Sequence, residues 1–237
     1  MKTALVTGAT SGIGHAIAIA LHAAGYMVTG VGRNVDGLRD LDARGIRGLQ
    51  LDLANTGQLK AALKDSTPDV LVNNAGTMPP LGRFCDMAES DIDSTITVNL
   101  RSAIGVTHIL APAMRARGTG HIFFTGSTAG HAPFANLAVY AATKAAIGAF
   151  AQSLRLELAP SGVRVTEIVA GRVESNLYKD ILPQDTRDAM YANNSAVQPK
   201  DIAEMVMAVL ALPPSVDVAR FDILPTHQAT ATGVKKG

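Results

Sequence analysis

The chain has one cysteine, Cys85, among its 237 residues, so no internal disulfide can form and a reducing compartment suits it. No basic run precedes Lys235-Lys236, and Lys plus Arg exceed Asp plus Glu only by 21 to 20. Without a phosphate-backbone footprint, nucleic acid is not an expected partner. Long apolar runs are also missing: Met205 to Leu212 ends at Pro213-Pro214, and the others are broken by Gly, Pro or charge. None is long enough to span a bilayer, so no membrane association is expected. Met1-Lys2 leads straight into an apolar strand and Thr7-Gly8, without a signal-peptide pattern, and the expected location is the cytoplasm. The six histidines are dispersed without metal-ligand spacing, so no metal site is expected. Gly126-Ser127-Thr128-Ala129 breaks the Gly-x-Ser-x-Gly elbow of hydrolases. There is no internal repeat, low-complexity stretch or linker, and a single domain over residues 1–237 is expected.

What is present is apolar residues in short, ordered segments. They make up 47% of the chain, enough for a sizeable core. Ala4 to Thr7, Tyr26 to Val31, Ile46 to Leu51, Val70 to Val72, Gly120 to Thr125, Val163 to Val169 and Val216 to Leu224 read as strands. Helical spacing follows over Ile17 to Ala24 and Leu59 to Leu63, then from Asp91 towards Met114, from Tyr140 to Leu158 and from Asp201 to Leu212. This alternation predicts an α/β fold: a Rossmann-like, doubly wound parallel sheet of about seven strands with helices on both faces. Ligands in such sheets bind at the carboxyl ends of the strands. Residues 174–199, polar and irregular, are expected to form a substrate lid, and about 226–237 a weakly ordered tail.

The chemistry-bearing residues fall at those strand ends. Gly8-Ala9-Thr10-Ser11-Gly12-Ile13-Gly14 joins the first strand to the first helix. Glycines allow close approach to the backbone, and the helix start offers free N–H groups and a positive dipole end to a pyrophosphate. The second strand ends in Gly32-Arg33-Asn34. An acidic residue there would bond a ribose 2′-hydroxyl; an arginine accommodates a 2′-phosphate instead. Arg33 therefore favours NADP(H), with NAD(H) as the alternative if Arg33 is only a solvated charge. Asp52-Leu53 and Asn73-Asn74-Ala75-Gly76 end the third and fourth strands, and Ser127 follows the fifth. Asn99 lies mid-helix, where an amide is mildly unfavourable and either bridges water or satisfies a neighbouring helix. His131 reads as a histidine lining the cleft. Tyr140 and Lys144 are four residues apart, on one helix face, where an ammonium can favour a phenolate. Asp91 and Asp93 fit the acidic first turn of a helix rather than an acid/base pair.

Taken together, these residues resemble the short-chain dehydrogenase/reductase family over essentially the whole chain. Thr7 to Gly14 fits its TGxxxGxG motif, Asn73 to Gly76 its NNAG, Tyr140 to Lys144 its YxxxK, and Ser127 its serine thirteen residues before the tyrosine. The resemblance implies an NAD(P)-dependent enzyme acting on CH–OH, with a catalytic tetrad of Asn99, Ser127, Tyr140 and Lys144. Ser127 would bond the substrate oxygen, Tyr140 would pass the proton, Lys144 would hold the nicotinamide ribose, and Asn99 would position a relay water. It implies cofactor contacts from Gly8, Thr10, Ser11, Gly12, Ile13, Gly14, Arg33, Asn34, Asp52, Leu53, Asn74, Ala75, Gly76, Tyr140 and Lys144, and also from Val173 and Ser175. Ala170 stands where the family has proline, which is expected to loosen the following loop. The stretches around Ser127, Arg164 to Ile168 and Leu224 to Gln228 are similar to NADP-dependent members acting on 3-hydroxy acids or semialdehydes. Ser127, His131, Tyr140 and Arg172 are then the expected substrate contacts, with the Arg172 fork suited to an anion. A polyol dehydrogenase, a 3-oxoacyl reductase and a non-catalytic dinucleotide-binding regulator are the alternatives. A homotetramer or homodimer is implied by resemblance alone.

Overall fold

The computed structural model describes residues 1–227. Seven strands form one parallel sheet: β1 (Thr3–Thr7), β2 (Met27–Gly32), β3 (Arg47–Gln50), β4 (Val70–Asn73), β5 (Gly120–Thr125), β6 (Val163–Ala170) and β7 (Arg220–Ile223), in the order β3-β2-β1-β4-β5-β6-β7. Leu5 of β1 lies beside Thr29 of β2 on one side and Leu71 of β4 on the other. Strand order thus reverses between β1 and β4, and their diverging carboxyl ends open a crevice.

Central strands of such a sheet are apolar on both faces because helices cover both. One face buries Val6, Val72, Phe123 and Ile168 against Ile17 and Leu21 of α1 (Gly12–Ala23), Leu38 and Leu41 of α2 (Val35–Ala43), and Ile202 and Val206 of the last helix, Pro199–Ala211. The other buries Leu5, Leu71, Phe124 and Val165 against Leu59 and Leu63 of α3 (Thr56–Leu63) and against two long helices, Ser102–Arg117 and Ala138–Leu158. Phe123 and Phe124, adjacent on β5 and fully buried on opposite faces, anchor the two cores. Truncating either to Ala would cost about 3–5 kcal/mol by transfer and cavity terms.

Several local expectations are corrected. The helix expected from Asp91 to Met114 begins as α4 (Glu89–Ile96), widens into a π turn at Thr97–Arg101, and continues as α5 (Ser102–Arg117). The Ser102 N–H reaches back to Thr97 O, and the Ser102 hydroxyl bonds Val98 O at 2.7 Å. Such turns are rare and concentrate at functional sites; this one contains Asn99. A four-residue helix α6 (Thr128–His131) precedes α7 (Ala138–Leu158), which starts two residues before Tyr140. The 174–199 segment contains short turns and α8 (Gln184–Tyr191), and α9 is Pro199–Ala211. The final strand is Arg220–Ile223 rather than Val216 to Leu224. Upstream, the Thr166 hydroxyl donates to Val218 O at 2.7 Å and the Glu167 N–H to Ala219 O at 3.0 Å, holding that stretch without a full ladder. Residues 228–237 of the expected tail lie outside the described residues.

Among the described residues no helix is long and apolar enough to cross a membrane, and no group of three or more His, Cys, Asp or Glu is placed to hold a metal ion.

His121 on β5 is buried, stacked on Phe123 at 4.1 Å between ring centroids and 2.8 Å from Thr166 Oγ1. Burial first, then the charge of Arg164, lowers its pKa to about 3. A histidine kept neutral in the fold but free to protonate when unfolded contributes stability above the unfolded value of about 6.5 that is lost as pH falls towards the folded one. Stability is therefore expected to decline by a few kcal/mol between about pH 6.5 and 4. Urea melts should show that His121→Gln flattens this slope.

Candidate active site

The crevice at the carboxyl ends is a cleft of about 1160 Å³. Its floor is built by the β1–α1 loop. Gly8 has φ +65°, and a Cβ there would lie 2.8 Å from Ala75 Cα, so only glycine lets this loop press against the end of β4. Thr7 Oγ1 accepts the N–H groups of Asn74 at 3.0 Å and Ala75 at 3.1 Å. The Asn74 amide donates to Thr7 O and Gly8 O and accepts from Thr125 Oγ1 at 3.2 Å. Asn74 is thus a staple between β1, β4 and β5, with its side chain committed to the protein. Gly14 is not among the cleft-lining residues; a Cβ on it would collide with Gly8 O and the Asn74 amide. Its role is loop closure.

Ser11 starts α1 without a side-chain cap, and the first turn holds no acidic residue. Its orphan N–H groups and positive dipole end stay open to the cleft, beside Thr10, Gly12 and Ile13. Anions bind such helix starts. At the far end, Arg33 and Asn34 line the cleft with Leu51, Asp52 and Leu53. Asn34 Oδ1 accepts the Gly37 N–H at 2.8 Å and caps α2, while Asp52 Oδ1 accepts the Ala54 N–H at 3.0 Å. Gly32 is crowded by Thr10, since a Cβ would lie 2.6 Å from Thr10 Cγ2. An elongated site with an uncapped helix start midway, a backbone cradle and an arginine in place of an acid at its far end fits a dinucleotide carrying an extra phosphate.

Ser127, two residues past the end of β5, caps α6, its Oγ accepting the Ala129 N–H at 3.2 Å. Tyr140 and Lys144, one turn apart on α7, share a face, with Nζ 5.7 Å from the ring centroid. Lys144 is 5% exposed and donates to Thr125 O at 2.7 Å. Burial lowers its pKa to about 8, against an opposing effect of Glu167. Burial likewise pushes the Tyr140 phenol well above its usual range; the Ser127 hydroxyl partly offsets this. The isolated pair therefore keeps the phenol protonated. That differs from the simple expectation of a phenolate, because loss of water around the ring outweighs the nearby ammonium.

Asn99 is buried behind this group. Its Oδ1 accepts the Thr77 N–H at 2.7 Å, and its amide donates to Thr77 O at 2.9 Å and Thr143 Oγ1 at 3.3 Å. It fixes the chain after Gly76, where a Cβ would lie 3.5 Å from Asn99 Oδ1 and 3.7 Å from Lys144 Nζ.

His131 is not among the residues lining the cleft; its Nε2 is 2.9 Å from Glu167 Oε1, drawn off by a buried carboxylate. Arg172 does line it, with Nη1 donating to Met190 O at 3.3 Å. Val173 lines it and forms an isolated bridge to Val197, while Ser175 accepts the Leu177 N–H at 3.4 Å. Ala170 is paired with Ile223, and the Gly171 N–H donates to Ile223 O at 2.9 Å, so sheet pairing supplies restraint that proline would otherwise bring. Sequence reasoning missed the cleft contacts of Phe134, Tyr178 and Met190 and the anchoring roles of Thr125 and Thr143. An aromatic such as Tyr178 in an otherwise polar lid was the available signal. It packs on a small cluster of Met78, Leu137 and Tyr140.

Residues 2–186 match the family model for short chain dehydrogenases. An uncharacterized short-chain type dehydrogenase/reductase of Sinorhizobium fredii is 42% identical over 229 residues, covering 96% of this chain and 92% of the relative. The NADP-dependent 3-hydroxy acid dehydrogenase of Salmonella typhi is 34% identical over 239 residues, covering 96% of each. The solved closed form of serine dehydrogenase complexed with NADP+ superposes with a TM-score of 0.92 at 30% identity, over 99% of this chain and 100% of that one. With the fold and the convergence of Ser127, Tyr140 and Lys144, these matches place the chain in the short-chain dehydrogenase family.

Proposed function

We propose that this protein is an NADP(H)-dependent oxidoreductase that interconverts a small polar or anionic alcohol, such as a 3-hydroxy acid, with its aldehyde or ketone. The observation that carries the reading is the meeting of Ser127, Tyr140 and Lys144 in one cleft with the uncapped start of α1. The Ser11 to Ile13 backbone would hold the pyrophosphate, Arg33 the 2′-phosphate, and Lys144 the nicotinamide ribose. The cofactor supplies or accepts the hydride. Ser127 orients the substrate oxygen through its hydroxyl, and Tyr140 gives or takes the proton at Oη. Lys144, pinned on Thr125 O, supplies positive charge beside that phenol. Asn99 holds the Thr77 backbone and thereby the wall next to Lys144.

Residues 174–199 act as the lid, with Tyr178 and Met190 turned to the cleft. One domain over 1–237 and a cytoplasmic setting, in keeping with the free Cys85, belong to the same reading. So does a homotetramer or homodimer through α5 and α7, on which Leu156 stands 65% exposed.

Arg172 is the proposed anion contact: a guanidinium carries five donors, and the bond to Met190 O uses one. A screen of 3-hydroxy acids, semialdehydes, sulfo-aldehydes and polyols with NADP(H) and NAD(H) tests the function. Arg172→Ala is expected to raise KM for an anionic substrate by about ten- to a hundredfold, the worth of a charge-assisted bond, with little effect on a neutral alcohol of similar size. Equal effects on both would refute the anion role. Cofactor binding without turnover on any class would favour a non-catalytic regulator.

A further inference from the structure

Glu167 on β6 is 0% exposed, and the mechanism above makes no use of it. Burying a carboxylate is costly unless hydrogen bonds or an opposite charge offset the lost water. Two glycines make its space. A Cβ on Gly126 would collide with Glu167 Oε1, and one on Gly148 would lie 2.9 Å from the same oxygen. Gly126 follows Thr125, whose carbonyl holds the Lys144 ammonium, and Gly148 lies one turn after Lys144 on α7. The carboxylate therefore packs against Gly126, next to the carbonyl that holds the ammonium, and against Gly148, one turn along the helix that carries it.

Its two oxygens have different surroundings. Oε1 faces His131 Nε2 at 2.9 Å; Oε2 is buried with no hydrogen-bond partner among the described residues. On the outer side, Arg220 Nη1 lies 3.5 Å from His131 Nδ1, and Arg220 itself pairs with Asp222 at 2.8 Å. Arginine only donates, so Nδ1 is the acceptor and a neutral His131 carries its proton on Nε2, aimed at Glu167. The titratable and charged groups around Glu167 and Lys144 are therefore His131 from α6, Tyr140 from α7, and Arg220 with Asp222 from β7. Tyr178 acts on Tyr140 from the lid. Of the cations in this set, Lys144 is the buried one, and the charge of Glu167 opposes the effect of burial on it.

We propose that Glu167, held by His131, is the buried counter-charge that keeps Lys144 protonated and so sets the upper pH limit of the site. It is a positioning residue acting through Lys144, and it rests on the role given to Lys144 above. His131 thereby acquires a function away from the substrate.

The test reads Lys144 directly. Competitive acetylation with acetic anhydride from about pH 6 to 10, quantified at Lys144 by mass spectrometry, follows its deprotonation whether or not the enzyme turns over. In the wild type, labelling should rise around pH 8. In Glu167→Gln it should rise about one pH unit lower, with the alkaline limb of kcat/KM moving alike. His131→Ala, which removes the partner of Oε1 but leaves the carboxylate, should shift it in the same direction by less and serves if Glu167→Gln does not fold. Superimposable Lys144 titrations in whichever variant folds would overturn the proposal. Turnover intact with no shift refutes the counter-charge alone; a shift without turnover on any substrate refutes the oxidoreductase reading alone.

Discussion

Tyr140→Phe is expected to lower kcat by about 10²- to 10⁴-fold, the usual contribution of a positioned acid or base. The substitution removes one oxygen and leaves the ring, which packs with Met78, Leu137 and Ala141, in place. Folding and cofactor affinity should therefore persist, and thermal melts with cofactor fluorescence titrations check both. A variant that retains full activity would dismiss the mechanism. The direction of the pKa shifts adds a pH signature. With the phenol pushed up by burial and Lys144 lowered to about 8, Tyr140 is poised as a proton donor while Lys144 is cationic. Carbonyl reduction should be near its maximum at neutral pH and decline as Lys144 loses its proton above about pH 8. Alcohol oxidation should rise with pH, because it needs the phenolate and gains from the positive charge of an oxidised nicotinamide.

Arg33→Ala is expected to raise KM for NADPH by about ten- to a hundredfold, leaving KM for NADH almost unchanged, since a charge-assisted bond to phosphate is worth about 1.5–3 kcal/mol. Steady-state kinetics with both cofactors give the ratio. An equal loss with both would mean that Arg33 acts on the fold or the pyrophosphate instead. The reverse design, Gly32→Asp, should not by itself produce an NADH enzyme. Gly32 and Gly37 both pack on Thr10, and a Cβ at either position would lie under 3 Å from it. An acidic side chain at residue 32 can enter only if Thr10 yields.

Most of the fold could be read from the chain because its signals are local. Val70-Leu71-Val72 is apolar at every position, as a strand covered on both faces must be, and it forms β4 in the middle of the sheet. The β1–α1 glycines could be placed because they fall in the short loop between a strand and a helix, although what they make room for, Ala75 and Asn74 at the end of β4, lies far along the chain. Where the reading slipped, a long-range contact decided. The expected strand over Val216 to Leu224 shortened because Thr166, about fifty residues earlier, takes the carbonyl of Val218. His131 was expected at the substrate and instead meets Glu167, 36 residues later.

The sequence by itself determined the helical pairing of Tyr140 with Lys144, the phosphate loop and the strand-end positions of Ser127 and Arg33, because a fixed period of 3.6 residues and the strand–loop–helix order settle them. Only the tertiary structure decided the electrostatic state of that pair. Burial keeps the proton on Tyr140 and loosens the one on Lys144, while Thr125 O from β5 accepts the ammonium and the charge of Glu167 on β6 opposes the effect of burial. Desolvation and charge act through space, and the spacing of residues along the chain does not encode them.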